Sequence, residues 1–160
     1  MRIFFELRFK LSIKILNVIL WYMGKILGID FGIKRTGLAI TDDLKIIASG
    51  LDTVPTNQLM DLLKRMVLEE HIEKFVVGQA IRMSGEMSAV ETNILELIKV
   101  LNKNFPEVTV SRQDERFTSK LALDAMITGG VKKKDRRNKQ KGLVDKVSAT
   151  LILQAYLENQ

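Results

Sequence analysis

The chain has 160 residues, 46% of them hydrophobic and 28% charged, with a formal net charge of +6. That is the size and composition of one globular domain with a full core. It has no cysteine and a single histidine, His71, which excludes disulfides, thiolate metal sites and a His-rich zinc site.

Residues 1–22 read differently from the rest. Phe5, Leu7, Phe9, Leu11, Ile13 and Ile15 alternate with Glu6, Arg8, Lys10, Ser12 and Lys14, which is a strand period. Asn17 to Tyr22 is then mostly apolar. Charges interrupt the apolar region and no small-residue cleavage site follows, so the pattern is not that of a signal peptide. The uninterrupted apolar stretch is too short to span a bilayer. We read 1–22 as an N-terminal extension, with Met23 as the initiator and the extension as upstream translation. An extra strand or a surface-binding arm is the alternative. The domain itself is expected over 23–158.

Lys25–Phe31 is predicted as a strand, and it contains Asp30 among Ile, Leu and Phe. A carboxylate is costly to bury there unless something pairs it, and a hard cation such as Mg2+ suits it. Gly32–Thr36 reads as a tight turn, Gly37–Thr41 as a second strand, Asp42-Asp43 as a turn and Ile46–Val54 as a third strand. Connections this short predict an antiparallel meander. Pro55-Thr56 opens a helix with Leu59, Leu62, Leu63, Met66 and Val67 on one face. His71 follows it in Glu69-Glu70-His71 and reads as a solvated helix end.

Phe75-Val76-Val77-Gly78 has the continuous apolar character of a strand buried on both faces. Ser84-Gly85 precedes a second helix over Glu86–Leu101, either as a cap or as backbone N–H groups for an anion. Val90, Ile94, Leu97, Ile98 and Leu101 recur at helical spacing. Val108–Val110 is the fifth strand, with Asp114-Glu115 just beyond it. Thr118 or Ser119 caps a third helix through Ile127, stopped by Gly129-Gly130. Between Lys132 and Lys141 stand seven basic residues and one acid, a local net of +6 that equals the net of the whole chain. Such a run reads as a solvated loop or as a phosphate-backbone clamp. The last helix is expected over Leu143–Leu157, opened by Asp145, with Val144, Val147, Leu151 and Ala155 inward. The order is βββαβαβαα, an α/β fold.

Asp30, Asp114-Glu115 and Asp145 therefore stand at strand ends or a helix start, where an open sheet collects its functional groups. Singly each has a plain explanation: Asp145 as dipole compensation, Asp114-Glu115 as a surface pair with Arg112 and Arg116. Together they suit metal-assisted phosphodiester hydrolysis, because Mg2+ takes carboxylate oxygen and water.

Three segments carry a family resemblance. Ile26 to Ala39, with Asp30, Gly32, Lys34, Arg35 and Gly37, resembles the opening of the YqgF family of RNase H-like proteins, relatives of the Holliday-junction resolvases. Asp114-Glu115-Arg116-Phe117-Thr118-Ser119 is similar to its second motif. Leu143-Val144-Asp145-Lys146-Val147-Ser148-Ala149, continuing through Leu153 to Leu157, is similar to its third. The resemblance covers Met23 to about Glu158. It implies a five-stranded mixed sheet flanked by helices, and a cytoplasmic nuclease that trims the 5′ end of pre-16S rRNA in ribosome biogenesis. It implies Asp30, Glu115 and Asp145 as catalytic and metal-binding acids, with Asp114 as a further ligand candidate and Mg2+ or Mn2+ as cofactor. The implied partners are precursor rRNA, the ribosomal precursor particle and, in the resolvase version, branched DNA. No membrane is implied, and either a monomer or a homodimer is expected. Candidate nucleic-acid contacts are Lys34, Arg35, Arg116, Lys132, Lys133, Lys134, Arg136, Arg137, Lys139 and Lys141.

Two departures matter. The family's Gly-Leu-Pro after the fourth strand is Gly78-Gln79-Ala80 here, and the glutamate that resolvase relatives place near the end of that strand is missing. Two rival readings remain. Asp30-Phe31-Gly32 followed by Gly37 also resembles the phosphate loop of actin-like ATPases and sugar kinases, but the chain is too short for two lobes and lacks a second glycine-rich loop. A non-catalytic RNA-binding or ribosome-assembly module would keep the basic loop without needing three acids. That reading lacks a row of aromatics on which bases could stack.

Overall fold

The structure, a computed structural model, describes residues 24–79, 90–114 and 141–160. Five strands form one mixed sheet in the order β3-β2-β1-β4-β5: β1 is Lys25–Phe31, β2 Arg35–Thr41, β3 Ala48–Pro55, β4 Ile72–Gln79 and β5 Thr109–Asp114. The meander is as expected, with β1–β2 and β2–β3 antiparallel; β4 then pairs parallel to β1 and β5 parallel to β4. Thr56–Gln58 makes a 3-10 turn that leads into α1 (Leu59–Glu69); α2 is Glu91–Asn104 and α3 is Lys141–Glu158. No helix among the described residues is long and apolar enough to cross a membrane. Residues 1–22, Ser84-Gly85 and the helix expected through Ile127 lie outside the described residues.

Strand alternation divides the core between the two faces of the sheet. Leu27, Ile29, Phe75 and Val77 pack with Leu59, Leu63 and Met66 of α1 and Ile94, Leu97 and Leu101 of α2. Ile26, Ala39 and Val76 pack on the opposite face with Ala149, Ile152, Leu153 and Tyr156 of α3. Phe75, Val76 and Val77 are all fully buried, as a strand covered on both sides requires.

The faces of α1 and α2 follow their apolar spacing. α3 does not: Ala149, Ile152, Leu153 and Tyr156 are its buried apolar residues, with Ser148 buried beside them, while Val144 is exposed and Val147, Leu151 and Ala155 are only half-buried. The helix is apolar on nearly every side, so periodicity cannot choose among its faces. Small residues choose instead. A Cβ at Gly28 would meet Leu153 Cβ at 2.8 Å, and one at Gly37 would sit 2.0 Å from the Asp145 carbonyl oxygen. These two glycines open a groove across β1 and β2 in which α3 lies. Thr53 Oγ1 donates to the Gly142 carbonyl and Gln154 Oε1 accepts from Ala48 N, fastening α3 to β3 as well.

β5 runs through Asp114, further than the short apolar core of the strand indicates, so Asp114 belongs to the strand and not to the loop after it. On β3, Leu38 pairs with Asp52 and Ala39 with Gly50, leaving Leu51 as an extra residue, a β-bulge on an edge strand. His71 is exposed, as expected, and takes a positive φ of 51° between α1 and β4.

Candidate active site

The C-terminal ends of β1, β4 and β5 point the same way, because these three strands are parallel. Asp30 is the penultimate residue of β1. Its neighbours Ile29 and Phe31 belong to the α1–α2 core, so Asp30 faces α3, as Gly28 does. In the β1–β2 register Asp30 is paired with Gly37, the glycine that carries the Asp145 backbone. The close approach of α3 at Gly37 is thus what brings the two carboxylates together.

The pair is electrostatically strained. Burial first, then the negative charge of Asp145, pushes the Asp30 carboxyl up to about 7. Asp30 makes no hydrogen bond or ion pair with any described residue. Among the described residues Asp145 has one countercharge, Arg35, whose Nε donates to Asp145 Oδ2 at 3.1 Å. Asp145 is the fifth residue of α3, which begins at Lys141, so it stands beyond the first turn and dipole compensation does not account for it.

The turn between β1 and β2 is fixed by side chains. Thr56 Oγ1 donates to the Gly32 carbonyl at 2.6 Å. The hydroxyl of buried Thr36 lies 3.0 Å from Thr56 Oγ1 and, since that proton is already used, is the donor. Lys34 lies in this anchored turn and Arg35 follows it, and both are exposed.

Asp114 stands at the end of β5, in register with Gln79. Val110 packs on the α1–α2 core and Arg112 reaches Glu91 of α2, whereas Ser111 accepts from Tyr156 of α3. Alternation therefore gives Asp114 the face opposite Asp30. Among the described residues no three acidic or histidine side chains form one cluster. Glu115, Arg116 and the basic residues Lys132, Lys133, Lys134, Arg136, Arg137 and Lys139 lie outside the described residues, as does the side chain of Lys141.

Arg112 is one residue whose environment the sequence did not indicate. Its terminal nitrogen donates to buried Glu91 at 2.7 Å and to the Gly78 carbonyl at 3.2 Å, and its Nε is buried without a partner among the described residues. The pair ties the start of α2 to the ends of β4 and β5. Nothing in the spacing of Glu91 and Arg112 announces it.

A family profile described as RuvX, Holliday junction resolvase, matches residues 24–159. The chain belongs to the RuvX family. A relative from Phocaeicola vulgatus, named "Putative pre-16S rRNA nuclease", is 51% identical over 138 residues, which are 86% of this chain and 98% of the relative. One of the same name from Christiangramia forsetii is 50% identical over 135 residues, 84% of this chain and 98% of the relative. Among solved structures, the fowlpox virus Holliday junction resolvase aligns with a TM-score of 0.53 at 16% identity, over 85% of this chain and 99% of that one. Thermus thermophilus RuvC aligns at 0.52 and 17% identity, over 84% of this chain and 96% of that one. The RuvX chain thus has the RNase H-like fold that its motifs implied.

Proposed function

We propose that this RuvX chain is a divalent-metal-dependent nuclease, with residues 23–158 as its catalytic unit, that hydrolyses phosphodiester bonds of precursor rRNA and matures the 5′ end of pre-16S rRNA in the cytoplasm. The observation that carries this is Asp30: a half-buried carboxylate at the end of the central strand, beside a second carboxylate and without a countercharge of its own among the described residues. The names carried by the relatives support RNA as the substrate.

The donor set fits Mg2+ or Mn2+, which take hard carboxylate oxygens. Asp30 and Asp145 would hold the metal. Asp114 faces away, which leaves Glu115 as the proposed third carboxylate. When bound, the metal activates water and stabilises charge on the phosphate and leaving oxygen. The chain's own part is positioning. The β1–β2 ladder holds Asp30, the Gly37 contact sets Asp145 against it, and Lys34 with the Lys132–Lys141 run would hold flanking phosphates.

The test is incubation of a pre-16S 5′ fragment and a four-way DNA junction with wild type and Asp30→Asn, in Mg2+, Mn2+ or chelator. The expected result is metal-dependent RNA cleavage by wild type. Asp30→Asn should lose about 10³-fold or more in rate while binding RNA at least as tightly. RNA binding without cleavage in either metal would instead make the chain a ribosome-assembly module. A resolvase acting on branched DNA is the second reading, favoured by the family description and the fold of the neighbours. Cleavage confined to the junction would establish it.

A further inference from the structure

Arg35 stands where the two carboxylates meet the surface. It opens β2 and lies two residues before Gly37, so both face α3. Its side chain is 43% exposed, against 27% for Asp145. The pair is therefore set by the closest contact between strand and helix, not by two long side chains meeting in solvent. Among the described residues the guanidinium is engaged through Nε alone, and its two terminal nitrogens have no partner. An isolated exposed pair of this kind adds little to stability. A planar guanidinium can, however, serve two anions at once, which a lysine ammonium cannot do with the same geometry.

We propose that Arg35 is a catalytic residue that bridges Asp145 and the scissile phosphate: Nε keeps the carboxylate, and the terminal nitrogens take a non-bridging phosphate oxygen of a strand lying across Asp30 and Asp145. This rests on the nuclease reading above. A cation already held by Asp145 stabilises charge gathering on the phosphate without reorganising. The same cation repels a divalent ion at the carboxylates. That repulsion separates a bridging arginine from a mere prop for Asp145, because losing a prop would weaken metal binding.

The experiment compares Arg35→Gln and Arg35→Lys with wild type in the full chain. It reads Mn2+ binding by the protein alone, RNA binding in Ca2+, and single-turnover cleavage in Mg2+ at saturating RNA. Arg35→Gln should bind Mn2+ about fivefold more tightly, bind RNA more weakly, and cleave about 10²-fold more slowly. Arg35→Lys should recover RNA affinity but no more than about a tenth of the rate. Unchanged or weaker Mn2+ binding in Arg35→Gln overturns the proposal. So does a full single-turnover rate, which would make Arg35 a peripheral phosphate contact. A wild type that binds Mn2+ and RNA but cleaves nothing defeats the nuclease reading separately; the Mn2+ and RNA-binding comparisons then decide the bridging contact.

Discussion

Asp30 is less stable as an anion in the folded chain than in water, and this has a defined pH dependence. Its carboxyl is raised from an ordinary value of 3.8 to about 7. Between those values the folded chain binds a proton that the unfolded chain has released. The associated stability is complete below about pH 4 and is lost as pH rises through 7. Asp30→Asn, which cannot ionise, should remove this loss. Urea unfolding without metal should show the variant more stable than wild type by about 4 kcal/mol at pH 8, with the difference vanishing near pH 4. Parallel curves across that range would show that Asp30 is not strained. The residue itself was legible in the sequence, because an acid within an apolar strand is anomalous by composition alone. Its neighbours were only half legible. Arg35 and Asp145 were each candidates, but the bond between them joins positions 110 apart, and only the docked helix brings them together.

At the scale of elements, the placement of α3 decides whether the site exists. Gly37→Ala would set a Cβ 2.0 Å from a backbone carbonyl, an approach no rotamer change can relieve. The expected outcome is a loss of about 2–4 kcal/mol in stability. At temperatures where the variant is still folded, Mn2+ affinity should also fall, since Asp145 is moved away from Asp30. A variant with wild-type unfolding and metal binding would mean that the groove tolerates a methyl group. The helix's existence was readable from its apolar residues and its length, but its orientation was not. Val144, Val147 and Leu151 are as apolar as Ile152 and Leu153, so hydrophobicity carried no preference. The signal lay on the other partner, in glycines within two strands. The face of β5 was equally hidden, since Asp114 and Glu115 are adjacent acids and alternation assigns faces only once the strand's extent is known.

For the whole molecule, the charge is divided between a near-neutral body and the Lys132–Lys141 run. If that run holds phosphates, replacing Lys132, Lys133, Lys134, Arg136 and Arg137 by Gln should make the slope of log affinity against log salt shallower by about 3 for single-stranded RNA. Fluorescence titrations over a range of KCl would measure it, and an unchanged slope would make the run solvated surface only. The antiparallel meander of β1, β2 and β3 could be read in advance because short connections force antiparallel neighbours, whereas the order β3-β2-β1-β4-β5 and the parallel pairing of β4 and β5 appear only in the folded sheet. The two-sided core followed from the same reading. The contact of α3 with β1 and β2 has one more consequence. Asp30 and Asp145 repel each other across it, so the groups assigned to chemistry also push the last helix off the sheet. A divalent cation shared between them would act as a clasp, and its binding free energy would add to that of helix docking. Cellular metal supply would then set how firmly this protein is closed as well as how fast it works.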